Sequence, residues 1–145
     1  MAFLLSQVGA HAARRFAERV SAIGLSAPEA GLMGQIAAAP GISQQALAEH
    51  VCILPSRIVA LIDGLQAKSL VERRASSEDR RSYALHLTER GRQMLGDMWR
   101  IAAEHEEGLC AALSRAERAQ LAELCRRIAD QQGLTPGVHP GFKQL

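Results

Sequence analysis

Between Leu70 and Thr88 the chain places residue types suited to one kind of chemistry. The stretch reads as two short strands joined by a charged tip, and the tip carries Arg80 and Arg81 beside Asp79. The alternation of Tyr83, Leu85 and Leu87 suits a half-buried ribbon. Arginines at the end of a hairpin are poor core material. Their guanidinium groups can instead donate to phosphates and to the acceptors on the floor of a nucleic-acid groove. Arg73 and Arg74 either add to that footprint or pair with Glu72 and Glu78.

The elements before the hairpin must aim it. Ser26-Ala27-Pro28-Glu29 forms a capping box with proline in the first turn, opening a helix that should stop near Pro40-Gly41. Ser43 then caps a short helix from Gln44 to His50, with Leu47 and Val51 turned inward. Pro55 opens the next helix, whose stripe of Ile58, Leu61, Ile62 and Leu65 faces the core. Two such helices followed by a hairpin make a winged helix–turn–helix. With that stripe buried, Ser56, Ala60 and Asp63 lie on the outer face and Arg57 on its flank. Small outward residues let a helix sit deep in a groove about 12 Å wide, and Arg57 can donate to guanine or phosphate. Pro55, Ser56 and Arg57 are therefore expected at DNA, with Ser43, Gln44 and Gln45 offering donors to phosphate from the preceding helix start.

Helices are expected on both flanks. Leu4, Val8, Ala12, Phe16 and Val20 recur every fourth residue, with Arg14, Arg15, Glu18 and Arg19 toward water. Thr88 caps a long helix in which Met94, Met98, Ile101, His105 and Leu109 share a face. Ser114-Arg115-Ala116-Glu117 is a second capping box, starting a helix with Leu121, Leu124 and Ile128 inward and Gly133 as its stop. Apolar helix faces with no place in a winged core predict a symmetric dimer. The predicted organisation is a dimerisation helix over 1–24, a winged helix–turn–helix over 25–88, and dimerisation helices over 89–132. An irregular tail over 133–145, mobile or draped over a partner subunit, completes it. The fold class is mainly α with a small β-hairpin wing.

Composition narrows the function. The 145 residues carry a net charge of +2 and only 3% aromatics, too few for a single-strand stacking platform, so a duplex is the better partner. Arg73, Arg74, Arg80, Arg81, Arg90 and Arg92 cluster in one short region, as an electrostatic footprint requires. No run is long enough to span a bilayer and none resembles a signal segment, so a cytoplasmic protein without membrane partners is expected. Cys52, Cys110 and Cys125 form no CxxC pair, and the histidines have no zinc spacing. Neither a metal, a cofactor nor a nucleophile–base pair is expected, and an enzyme is not.

Leu70-Val71-Glu72-Arg73-Arg74, then Glu78-Asp79-Arg80-Arg81, then Leu85-His86-Leu87-Thr88-Glu89-Arg90-Gly91 resemble the MarR family of multiple-antibiotic-resistance regulators. The likeness extends back through Leu47-Ala48-Glu49-His50 and Ile58 to Leu65. It implies a homodimeric regulator, a repressor, on a pseudo-palindromic operator, with the second helix of the motif in the major groove and the wing in the minor groove. Arg81 would enter that groove with Asp79 bracing it. It also implies release by a small aromatic or phenolic acid held between the dimer helices and the winged core. His11, Arg14 or Arg15 would meet the carboxylate or else stand as surface charge, and Met94, Met98 and Trp99 either line the pocket or pack between the long helices. Three departures stand out: Ser69 occupies a position where the family usually has glycine in left-handed geometry, Cys52 a turn position that is also commonly glycine, and Leu54 one where a capping Ser or Asp is usual. Rival readings are a winged-helix module working through protein contacts, and a redox-sensing regulator acting through Cys52.

Overall fold

Hydroxyl caps set the helix starts. In the computed structural model, which describes residues 1–75, 83–139 and 142, the Ser26, Ser43, Thr88 and Ser114 side chains each accept the backbone N–H three residues on. Both capping boxes close, with Glu29 and Glu117 reaching back to their cap residues. The order among the described residues is α1 (Ala2–Ser21), α2 (Ala27–Ala38), α3 (Gln44–Val51), α4 (Pro55–Ala67), β1 (Val71–Ala75), β2 (Tyr83–Leu87), α5 (Glu89–Leu109) and α6 (Arg115–Gln131).

The core lies where α2, α3, α4 and the hairpin meet, and Leu32, Met33, Ile36, Leu47, Val51, Ile58, Ile62, Leu65, Leu70, Val71 and Leu85 are all fully buried there. β1 and β2 pair antiparallel from Val71 opposite Leu87 to Ala75 opposite Tyr83. The segment before α3 extends the ribbon: the Gly41 N–H donates to the Leu85 carbonyl (2.9 Å), and the Leu85 N–H to the Ile42 carbonyl (3.0 Å). This third edge fixes α3 to the root of the wing.

A tight junction ties the wing to the long helix. The Thr88 hydroxyl donates to the Ser69 carbonyl (2.7 Å) and accepts the Gly91 N–H (2.9 Å). A Cβ at Gly91 would stand 2.0 Å from the Leu70 carbonyl oxygen, so only glycine lets α5 start this close to β1. The Leu-x-Leu-Thr-x-x-Gly sequence is thus a backbone contact written in residues. Ser69 (φ 57°) and Cys52 (φ 56°) both adopt left-handed geometry, and Leu54 makes no side-chain cap. All three departures from the family pattern therefore carry the backbone expected of the residues they replace.

Some expectations need correction. Tyr83 is exposed, because it pairs with Ala75 at the outer end of the ribbon, beyond the core. Leu121, Leu124 and Ile128 are not inward: they are 41%, 44% and 46% exposed, and no residue of α6 is buried. The remaining described elements leave that face uncovered. Arg19 is half-buried rather than in water, with one guanidinium nitrogen 3.9 Å from Glu104. The described part of the tail is irregular and packs on its own chain. Its Phe142 is 6% exposed and joins the core of its own chain.

Candidate nucleic-acid interface

The axes of α3 and α4 meet at 114°, within the range of a helix–turn–helix. The turn between them is closed by Cys52, whose left-handed geometry lets the Ile53 N–H return to the Ala48 carbonyl (3.1 Å). With Ile58, Ile62 and Leu65 buried, α4 turns Pro55, Ser56, Arg57, Val59, Ala60 and Asp63 to the surface. Arg57 makes no hydrogen bond or ion pair among the described residues, so its guanidinium keeps all its donors.

Arg73 is different. Its side chain is only 19% exposed and spans three elements. From β1 it donates to Gln44 Oε1 on α3 (3.2 and 3.0 Å), to Asp63 Oδ1 on α4 (2.6 Å) and to Gln66 Oε1. Among the described residues its partners are Asp63 and the two glutamines rather than Glu72, because Arg73 points to the helix side of the ribbon; Glu78 lies outside the described residues. Arg74, one residue on, points away and pairs with exposed Glu72. The arrangement makes Arg73 a brace that fixes wing, first helix and second helix together.

The other positions divide in the same way. Ser43 uses its hydroxyl as the α3 cap, accepting from Ala46 N–H (3.1 Å). Gln45 is exposed and donates to Glu49 (3.1 Å). Asp79, Arg80 and Arg81 lie outside the described residues. Sequence reasoning missed the support behind α4. Lys68, at the end of that helix, donates to both carboxylate oxygens of buried Glu29 (2.7 and 2.8 Å) and to the Gly24 carbonyl (2.9 Å). Burial pushes the Glu29 carboxyl up, but its hydrogen bonds with Lys68 and Ser26 outweigh that and hold it below the usual range.

A cavity of about 610 Å³ opens behind the helix–turn–helix. Its walls are Ala13 and Phe16 of α1, the small residues Ala27, Ala30, Gly31, Gly34 and Ala38 of α2, Met98 and Trp99 of α5, and Gly137, His139 and Phe142 of the tail. Of the expected effector residues, Trp99 lines this space and His11 and Arg15 do not; Arg14 and Arg15 pair with Glu18. Gln35 was not foreseen. Its Nε2 donates to the Gly137 carbonyl (2.8 Å), while its Oε1 lies 3.1 Å from His50 Nε2 on α3. One side chain thus touches tail, cavity and helix–turn–helix. Two glycines inside a helical pattern were the one sequence signal that could have pointed here.

A braced helix–turn–helix with an exposed outer face, a β-hairpin wing and flanking long helices defines a winged-helix DNA-binding regulator. The sequence pattern of the MarR family matches residues 23–82. A protein of Thauera aromatica, named for transcriptional regulation of the hcr operon, is 36% identical over 124 residues, spanning 85% of this chain and 75% of its own. The repressor CouR, solved on a 23-mer DNA duplex, superposes with a TM-score of 0.80 at 29% identity, covering 89% of this chain and 92% of its own. A Mycobacterium tuberculosis MarR family protein in complex with salicylic acid shares the fold, with a TM-score of 0.72 at 24% identity over 88% of this chain and 95% of that one. The chain belongs to the MarR family, whose members are transcriptional regulators and not enzymes. No single helix among the described residues is long and apolar enough to cross a membrane.

Proposed function

We propose that this protein is a homodimeric, cytoplasmic repressor that binds a pseudo-palindromic operator and lets go when a small aromatic molecule enters the cavity. The observation that carries the proposal is the outer face of α4, where small residues surround an exposed, unpaired Arg57. Pro55, Ser56 and Arg57 would read the major groove, and Ser43 and Gln45 would meet the backbone beside it. Arg80 and Arg81, with Asp79 as support, would enter the minor groove from the wing, and Arg74 would stand over phosphate. Gln44 and Arg73 act one step behind, holding the reading surface in shape.

The uncovered apolar faces support the pairing: Phe3, Leu4 and Val8 of α1 and Leu121, Leu124 and Ile128 of α6 are exposed in the single chain. The segments 1–24 and 89–132 would supply the dimer and 25–88 the reading head. Half-sites must align about one DNA turn apart, so a modest change in the separation of the two α4 helices suffices for release. That CouR was solved on duplex DNA supports the binding mode, and the salicylic acid complex supports a small-molecule effector.

Selecting bound duplexes from a random pool at fixed salt tests this. A two-fold symmetric motif is expected. Arg57→Ala should blur its base preference, and Arg81→Ala should reduce the salt slope by roughly one ion per wing. Recovery of no symmetric motif would reject the proposal.

A further inference from the structure

We propose that the cavity takes an uncharged, flat aromatic molecule and discriminates against aromatic carboxylates. The proposal rests on the reading above only in treating the cavity as a ligand site. At about 610 Å³ the space falls in the range of small-molecule pockets, commonly a few hundred to about 1,000 Å³. Its α2 wall carries the Phe142 ring at Gly31, where a Cβ would stand 2.8 Å from it, and is open at Gly34, where a Cβ would meet nothing within 4 Å. Also lining the space are Phe16 and Trp99, whose ring faces and edges, with those of Phe142, suit an aromatic guest, and the Met98 thioether. The result is an apolar space lined by rings.

Charge decides what the ring carries. Among the described residues lining the cavity there is no Lys, Arg, Asp or Glu. The polar groups are Gln35, His139 and the Trp99 indole N–H, and both ends of the Gln35 amide are already engaged, by Gly137 and His50. A carboxylate moved here from water loses its hydration and gains no cation, which is unfavourable unless it is paired. The nearby arginines of α1 do not compensate. Arg15 is committed to Glu18, Arg19 lies beside Glu104, and neither lines the space. An amide, ester, aldehyde or phenol loses far less on entering and can share the indole N–H or the amide edge. This narrows the expectation of an aromatic acid to its uncharged relatives.

Trp99 is the only tryptophan in the chain, so its fluorescence reports on the cavity without added labels. The test titrates the full-length protein with benzamide and with benzoate, isosteres that differ in charge, at pH 8, where imidazoles are ordinarily neutral. Benzamide is expected to perturb Trp99 with at least tenfold tighter binding than benzoate. Gly34→Leu, which fills the space while favouring the helix, should abolish the benzamide response. Phe142→Ala, which removes one ring wall, should weaken it several-fold, and serves if Gly34→Leu does not fold. Benzoate binding as tightly as benzamide, a response that survives both substitutions, or no response of Trp99 to either compound would overturn the proposal. The measurement contains no DNA, so a failure of operator recognition leaves its outcome untouched.

Discussion

The guanidinium of Arg73, on the first strand of the wing, lies 2.6 Å from the carboxylate of Asp63 on the outer side of α4. The same guanidinium reaches Gln44 on α3, so one cation fixes the relative pose of three elements. Each of those elements is proposed to touch DNA. A residue that looks like a phosphate contact by type is a brace by geometry.

Arg73→Ala should therefore behave unlike a contact mutation. Loss of a partly buried charge-assisted network should lower unfolding free energy by about 1–3 kcal/mol. Operator affinity should fall while the salt slope stays put, because no phosphate contact is lost. Arg73→Lys should rescue little, since an ammonium cannot fork between Asp63 and Gln44. Urea unfolding and operator titrations at several salt concentrations check this; a slope reduced by one ion would make Arg73 a contact after all.

Ser69 holds left-handed backbone geometry, φ 57°, where a side chain is disfavoured. Ser69→Gly should stabilise the protein by about 0.5–1 kcal/mol, part of the strain relief being offset by the greater freedom of glycine in the unfolded chain. A rise in Tm of about 1–3 °C is the expected reading. A lower Tm would show that the serine side chain contributes more than its backbone costs.

Two depressed pKa values predict acid sensitivity in two windows. Burial, followed by the charges of Arg19, Arg15 and His11, holds His105 below its ordinary value of 6.5, so the native state favours the neutral ring. The unfolded chain then binds the extra proton first, and stability present above about pH 6.5 declines as pH falls through the native value. Glu29 is likewise depressed, from 4.5, so its contribution is present above that value and is lost in more acid solution. His105→Gln should flatten the upper window and Glu29→Gln the lower one. Denaturation midpoints measured from pH 8 to pH 3 decide it, and unaltered curves in both variants would remove these groups from the acid response.

Leu124 is 44% exposed on α6, with no described neighbour from its own chain burying that face. Leu124→Glu should leave the helical content intact and convert the proposed dimer to a monomer in sedimentation. A single chain offers one half-site reader, so operator affinity should collapse with it. A variant that still sediments as a dimer would place the pairing surface elsewhere.

Local signals in the sequence were enough for the helix starts, because a capping serine, a threonine or an N1 proline acts within one turn. The hairpin itself and the buried stripe of Ile58, Ile62 and Leu65 follow from periodicity in the same way. What stayed hidden depends on distance along the chain. Arg73 meets Asp63 and Gln44 only after folding, Lys68 finds Glu29 across 39 residues, and Gln35 finds Gly137 across 102. No periodicity encodes such pairs. Phe142 was illegible for a similar reason: its seat is a missing side chain, at Gly31, rather than a matching one. The α6 stripe misled because an apolar face says that it will be covered, but not by which chain.

Gly31 and Gly34 each cost α2 about 1 kcal/mol of helix propensity relative to alanine. A side chain at Gly31 would unseat Phe142, whose ring would lie 2.8 Å from its Cβ, whereas one at Gly34 meets nothing within 4 Å and would give a sturdier helix with the hollow narrowed. A search for heat-resistant versions of this protein should therefore return to Gly34 and spare Gly31. If the cavity is the proposed signal site, winners there would be deaf to the signal while keeping their grip on DNA.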